Sequence, residues 1–358
     1  MNKKYLFAFP LALSLTISAA YPHEKNAPSA WGAAPIPAIG YMPETSLLAG
    51  AAAVLYRNPD KDADTHKPDT YTLLGFYTLK NQYQAGVISA THFRGGVLLR
   101  TEVSGSCFPS EYYGIGPDTP KSVKETFTSV YFPAKESILF KATDSFSAGI
   151  ALDQQYQKLT KTERGGVLAG SSVTGSKAMM NSGAGFAAEY DTRDSEMNPH
   201  RGSFIEAKML WFGKYAGGDA SFSKGTLDMR TFIPFGESTI CLQFGGAAVS
   251  GDIPFYYYPS LGGSQSLRGF YYGRHIDRNL VFSQAEYRFN VWKRIGMTLF
   301  AGAGEVAPGF SCFGEHIRGA GGLGLRLMLD ETQKINLRLD LSYNGRETYT
   351  YLNILEAF

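Results

Sequence analysis

From Lys334 to Tyr343 the chain changes polarity at every step. Ile335, Leu337, Leu339, Leu341 and Tyr343 fall on one side of an extended segment, and Lys334, Asn336, Arg338, Asp340 and Ser342 on the other. A period of two belongs to a β-strand, because successive side chains leave opposite faces of the pleat. The pattern recurs. In Val281–Val291, Val281, Ala285, Tyr287, Phe289 and Val291 oppose Gln284, Glu286, Arg288 and Asn290, and in Leu323–Asp330 the leucines oppose Gly324, Arg326, Met328 and Asp330. Thr226–Phe235 and Ile205–Trp211 obey the same rule. Such a chain is all-β, and each strand needs an apolar medium on one side and a polar one on the other.

Two architectures meet that need: a soluble sandwich that buries the apolar faces against each other, and a barrel that turns them to lipid. Three features favour the barrel. The segments have the ~9–11 residues that cross a bilayer when tilted. Aromatic residues gather at strand ends, as at Trp211-Phe212, Tyr343 and Tyr349–Tyr351, and the connections alternate long with short. Fifteen strands can be drawn from Thr45 to Phe358, ending with Tyr349–Phe358. Single-chain bacterial barrels use an even number, so a sixteenth is expected between Trp31 and Phe132. The expected fold is a transmembrane antiparallel β-barrel of sixteen strands over residues 45–358.

The N-terminus agrees with export. Lys3 and Lys4 precede an apolar run, Tyr5–Ile17, and the small residues Ser18-Ala19-Ala20, which predicts a signal peptide over residues 1–20. The run is too short for a membrane anchor, which needs ~20 apolar residues, and no later window is long and apolar enough. Residues 21–44 carry Pro22, Pro28, Pro35, Pro37 and Pro43 and read as an extended, Pro-rich periplasmic lead-in.

Composition narrows the function classes. Net charge is +2 with no basic run, which argues against nucleic acid. Cys107, Cys241 and Cys312 stand far apart without C-x-x-C spacing, so no zinc site and at most one disulfide is encoded. There is no G-x-S-x-G, H-E-x-x-H or P-loop, and the six histidines are dispersed. No enzyme activity, catalytic residue, metal or cofactor is expected. A hydrolase site assembled across strands is the remaining enzymatic alternative.

Two segments carry more specific information. The first is Leu261–Phe270, with Gly262, Gly263, Leu267, Arg268, Gly269 and Phe270, preceded by Pro254–Pro259 and too glycine-rich and aromatic for an ordinary solvated loop. The second is Tyr190-Asp191-Thr192-Arg193-Asp194 running into Asn198-Pro199-His200-Arg201-Gly202. A long loop folded into a barrel loses ~1–2 kcal/mol of backbone entropy per residue, so specific contacts must hold it. A guanidinium meeting a carboxylate in a partly desolvated lumen supplies directional bonds that lysine cannot reproduce.

Together these segments resemble the BamA/TamA-type outer-membrane barrels, the bacterial surface antigen family. The resemblance extends through Gln284–Phe289, Leu337–Asp340 and Glu356–Phe358. It implies a long extracellular loop folded into the lumen, with Arg268 against a carboxylate of the inner wall. It also implies a periplasmic turn built on Asp191, Arg193, Asp194, Pro199 and Gly202, and a terminal assembly signal at Phe358. Many relatives have an aspartate where this chain has Gly302, so the partner of Arg268 is expected to have moved. Asp340 is favoured, then Glu286, both lumen-facing by alternation, with Glu305 a third candidate. Glu356 stands where relatives are aromatic or apolar.

Such relatives carry periplasmic domains ahead of the barrel, whereas here only Tyr21–Glu44 separates the expected cleavage site from Thr45. The implied function is assembly or translocation in the outer membrane of a Gram-negative-type bacterium. An unfolded protein or lipid client would be inserted or passed through a loop-plugged lumen or a lateral seam, among outer-membrane lipid. A separate periplasmic partner chain would supply the missing surface. The alternative is a surface antigen or passive pore that kept the fold without translocase activity.

Overall fold

The computed structural model describes residues 31–57, 68–330 and 335–358, so the expected signal segment lies outside the described residues. The wall begins with β1 (Trp31–Met42), β2 (Ser46–Arg57), β3 (Asp69–Thr78) and β4 (Tyr83–Phe93). It continues through β5 (Val97–Tyr112), β6 (Glu125–Lys141), β7 (Phe146–Thr162) and β8 (Met179–Asp191). Next come β9 (Gly202–Phe212), β10 (Phe222–Phe235) and β11 (Ser238–Gly251). Two short strands, β12 (Ser260–Leu261) and β13 (His275–Ile276), pair with each other inside the connection that follows. The wall resumes with β14 (Asn279–Trp292), β15 (Ile295–Ala307), β16 (Arg318–Asp330), β17 (Ile335–Tyr343) and β18 (Thr348–Ile354). Neighbours pair antiparallel throughout and β18 returns to β1, closing a barrel of sixteen wall strands.

The polarity of the wall is inverted relative to a soluble protein. In β16, Leu325 is 45% exposed while its neighbour Arg326 is 4% exposed. In β17, Leu339, Leu341 and Tyr343 are exposed and Arg338, Asp340 and Ser342 are buried. A sandwich would bury the leucines. Here the ionic face is inside, and the outer belt is apolar surface of the kind that lipid covers without penalty. The longer connections, such as 113–124, 163–178, 252–278 and 308–317, lie at one end, the loop end. Short turns such as 94–96, 142–145 and 236–237 lie at the other, the turn end.

The strand missing from the sequence reading is Trp31–Met42, so the barrel begins inside the segment read as a lead-in, ahead of Thr45. Its prolines concealed it. Pro35 and Pro37 are two apart, so their missing N–H groups would point to the same side of the strand. The ladder with β2 runs unbroken from Trp31↔Arg57 to Met42↔Ser46, which places the deficit on the side facing β18. Proline is tolerated at such an edge.

That side is the seam. β1 and β18 are registered at one pair, Tyr41↔Leu352. Extending the register would set Pro37 beside Glu356 and Pro35 beside Phe358, where no donor is available. The expected strand Tyr349–Phe358 accordingly stops at Ile354. Leu355 takes φ +75° and the chain turns into the barrel. Continued as a strand, Glu356 would share the outward face with Leu352 and Ile354, a costly place for a carboxylate.

Candidate functional site

The connection between β11 and β14, residues 252–278, folds inward and touches both sides of the wall. Its first part carries Phe255, Tyr256 and Tyr257, all buried. Phe255 stacks edge-on against Tyr112 and Phe127 at 5.3 and 5.4 Å, and Tyr257 against Phe212 at 5.1 Å. Asn181 donates through Nδ2 to the Tyr256 hydroxyl at 2.8 Å. These contacts reach β5, β6, β8 and β9.

The second part forms a tight tip against the opposite wall. Gly263 N–H donates to the Phe270 carbonyl at 2.9 Å, and Gly262 bridges Ser266. Gly262 has φ +110°, and a Cβ there would lie 2.6 Å from the Phe270 oxygen, so only glycine fits. Leu267 and Phe270 pack with Leu261, Leu280, Phe282 and Val306. Gly302 faces this tip: a Cβ on it would lie 2.8 Å from Leu267 Cδ1 and 2.7 Å from Gln284 Cβ. The space above Gly302 is filled by the loop's own leucine.

Arg268, 1% exposed, reaches between two wall strands. Its Nη1 meets Asp340 of β17 at 2.5 Å, its Nη2 pairs with Glu286 of β14, and its guanidinium carbon lies 3.7 Å over the centre of the Phe300 ring of β15. The charges continue as a closed ring. Glu286 accepts from Arg288 Nε at 2.7 Å, and Arg288 faces Glu356 at 3.8 Å. Glu356 meets Arg326 Nε at 2.8 Å, and Arg326 Nη1 returns to Asp340 at 2.6 Å. Arg338 stands beside it, 3.5 Å from Asp340. Both carboxylates of Arg268 are therefore shared with wall arginines, and removing one partner from such a buried cluster costs about 3–5 kcal/mol.

Two ties fix the tip to the hairpins on either side of the seam. Gly269 N–H donates to the Tyr351 hydroxyl at 3.1 Å, and Asn344 Nδ2 donates to the Gly269 carbonyl at 2.7 Å. Tyr272 N–H donates to the Glu44 carboxylate at 2.8 Å. Glu44 sits in the β1–β2 turn, where burial pushes its carboxyl above the usual range while the Tyr272 N–H and Lys80 act in the opposite sense.

Two residues singled out in the sequence stand elsewhere. Glu305 is not beside Arg268. It shares the outward parity of Leu299 and is covered by the β15–β16 loop, accepting from Gly314 N at 2.7 Å and His316 N at 2.5 Å. Phe358 is not a wall residue: it lies inside with Ala357, Phe232 and Cys241, and its carbonyl accepts from Arg288 Nη2 at 2.9 Å.

The 192–201 turn lies at the turn end. Asp191 grips Arg193 through Nε at 2.9 Å and Nη2 at 3.0 Å, and Arg193 covers the Phe204 ring at 4.2 Å. Asp194 accepts from His200 N at 2.9 Å and Arg201 N at 3.2 Å, Pro199 is buried, and Gly202 takes φ +100°. Met197 of this turn crosses the lumen to pack on Ala52, Val54 and Tyr56 of β2.

The sequence reading assigned no site role to Arg288, Arg326 or Glu44, and took Tyr351 only as an aromatic at a strand end. Alternation placed Arg288 and Arg326 on ionic faces, but their meeting depends on the relative heights of strands, which one sequence does not state. Glu44 had no local signal, and Tyr351, counted among the aromatics at strand ends, is fully buried inside the barrel instead.

The chain matches the Omp85 superfamily domain over residues 89–346. Among solved structures it is similar to BamA from Haemophilus ducreyi lacking POTRA domains 1–3, with TM-score 0.64 and 14% identity over 90% of this chain and 70% of that one. It is similar also to CdiB from Acinetobacter baumannii, with TM-score 0.58 and 12% identity over 91% of this chain and 59% of that one. For CdiB from Escherichia coli the values are 0.60 and 10%, over 92% and 64%. The chain thus spans less than two thirds of either CdiB. No curated protein matches the sequence significantly. At these identities the structures speak for the fold, whereas the domain match covers most of the barrel with its inserted loop, and the chain belongs to the Omp85 superfamily.

Proposed function

We infer that this barrel sits in the outer membrane of a Gram-negative-type bacterium and inserts or passes a protein or lipid client, using the inserted loop as a plug and the β1–β18 seam as its lateral opening. The observation that carries this reading is the contrast between a loop clamped by the Arg268 cluster and a wall left almost unpaired at one place. A passive pore gains nothing from either. The described residues contain the barrel alone, so on this reading client capture falls to a periplasmic partner chain or to segments outside them.

The test is depletion of the protein in its host, followed by measurement of outer-membrane protein and lipid composition. Depletion should alter the composition, and Arg268→Ala should fail to restore it while still forming a barrel. Unaltered composition, together with steady ohmic conductance in planar bilayers that Arg268→Ala leaves unchanged, would favour the surface-antigen or passive-pore alternative.

A further inference from the structure

We propose that the inserted loop is a strap across the seam: through Tyr272 it holds the first hairpin at Glu44, and through Gly269 it holds the last hairpin at Tyr351 and Asn344, so that the wall stays closed between β1 and β18 while the loop is docked.

The need for a strap follows from the wall. Every other neighbouring pair of wall strands shares at least seven registered residue pairs, as β17 and β18 do, and this one shares Tyr41↔Leu352 alone. Pro35 and Pro37 withhold donors along the lower part of β1, and β18 leaves the wall at Leu355. Backbone pairing therefore contributes little to closure here.

The geometry of the strap follows from the loop. Gly269 and Tyr272 are three residues apart, a reach of at most ~10 Å, yet they bind opposite sides of the seam. One glycine uses both its N–H and its carbonyl toward the last hairpin. Its φ is +111°, and a Cβ there would lie 2.7 Å from Ala320 Cβ. On the other side Glu44 is buried and its turn is braced. Gln82 Nε2 donates to the Glu44 carbonyl at 3.2 Å, and Lys80 Nζ donates to the Pro43 carbonyl. Tyr272 N–H donates to a carboxyl oxygen that is itself buried, so water does not compete for the tie. The Arg268 cluster, between the two ties and the wall, keeps the loop pressed inward.

This rests on the reading that the wall opens at the seam, but it can be tested without a client. In a background with Cys107, Cys241 and Cys312 replaced by serine, Tyr41→Cys and Leu352→Cys report seam closure by disulfide yield in reconstituted protein. Ile39→Cys with Ala49→Cys across β1–β2 serves as the control pair. Glu44→Ala and Tyr351→Phe should each lower the seam yield several-fold and leave the control yield unchanged. Glu44→Gln, whose amide oxygen can still accept from Tyr272, should restore much of it. Arg268→Ala should lower it as well. Equal seam yields in all variants that show the heat-modifiable gel mobility of a folded barrel would overturn the strap. A change in seam yield with unaltered outer-membrane composition on depletion would leave the strap standing and remove the transport reading instead.

Discussion

At position 302 a glycine leaves the space that the loop tip occupies. Because Leu267 and Gln284 occupy the volume above Gly302, Gly302→Asp should not give Arg268 a further partner. It should displace the loop tip and lower stability by about 1–3 kcal/mol, as overpacking does, read as a drop in the melting temperature of the reconstituted barrel. A variant as stable as the parent would show that the tip is loosely held. His275 gives the same tip a pH dependence. Its Nδ1 donates to the Pro117 carbonyl at 2.9 Å, and burial, with Arg318 and Arg274 nearby and Asp118 in partial opposition, pushes its pKa down to about 3. The undocked loop would take up a proton near 6.5. Docking is therefore at full strength above about 6.5 and weakens as pH falls from there toward 3. Protease cleavage within 252–278 should rise over that interval and be blunted in His275→Gln. Arg268 was singled out because the segment around it resembles the family's lumen-loop motif; its glycine-rich context alone left a solvated loop arginine open. Glu305 misled because parity fixes which face a residue takes only once the strand's phase is known, and its phase is the outward one of Leu299.

Among the elements, β1 was the least legible, since proline ordinarily argues against a strand. What the rule omits is that a strand has two edges, and Pro35 and Pro37 disarm only one. The same pair explains why the final strand ends early and why Glu356, which would otherwise face lipid, turns inward to Arg326 and Arg288. Replacing Pro35 and Pro37 by valine together with Glu356→Leu should reverse this. β18 should extend toward Phe358, and amide hydrogen exchange in β1 and at 355–358 should slow, with a gain of about 1 kcal/mol per restored hydrogen bond. Unchanged exchange would mean that another force draws the segment inside. Most of the other wall strands were readable to within about two residues, because they alternate cleanly and end in short turns, whereas β5, β7 and β8 run four to five residues further toward the loop end than the alternation suggested.

For the whole molecule, the number of strands and the inverted polarity were implicit in the sequence. The ring joining Arg268, Glu286, Arg288, Glu356, Arg326 and Asp340 was not, because it assembles five separate segments whose register a linear pattern does not encode. Nor was the crossing of the turn end by Met197 on one side and by residues 355–358 on the other. The inward course of that last segment bears on how the protein is handled. A purification tag or fluorophore joined after Phe358 would begin inside the barrel, crowded between Phe232 and Arg288, and would tend to pull Glu356 off its arginines. Reporters are better placed in the exposed loop at 163–165, where an insertion would leave both the ring and the seam untouched.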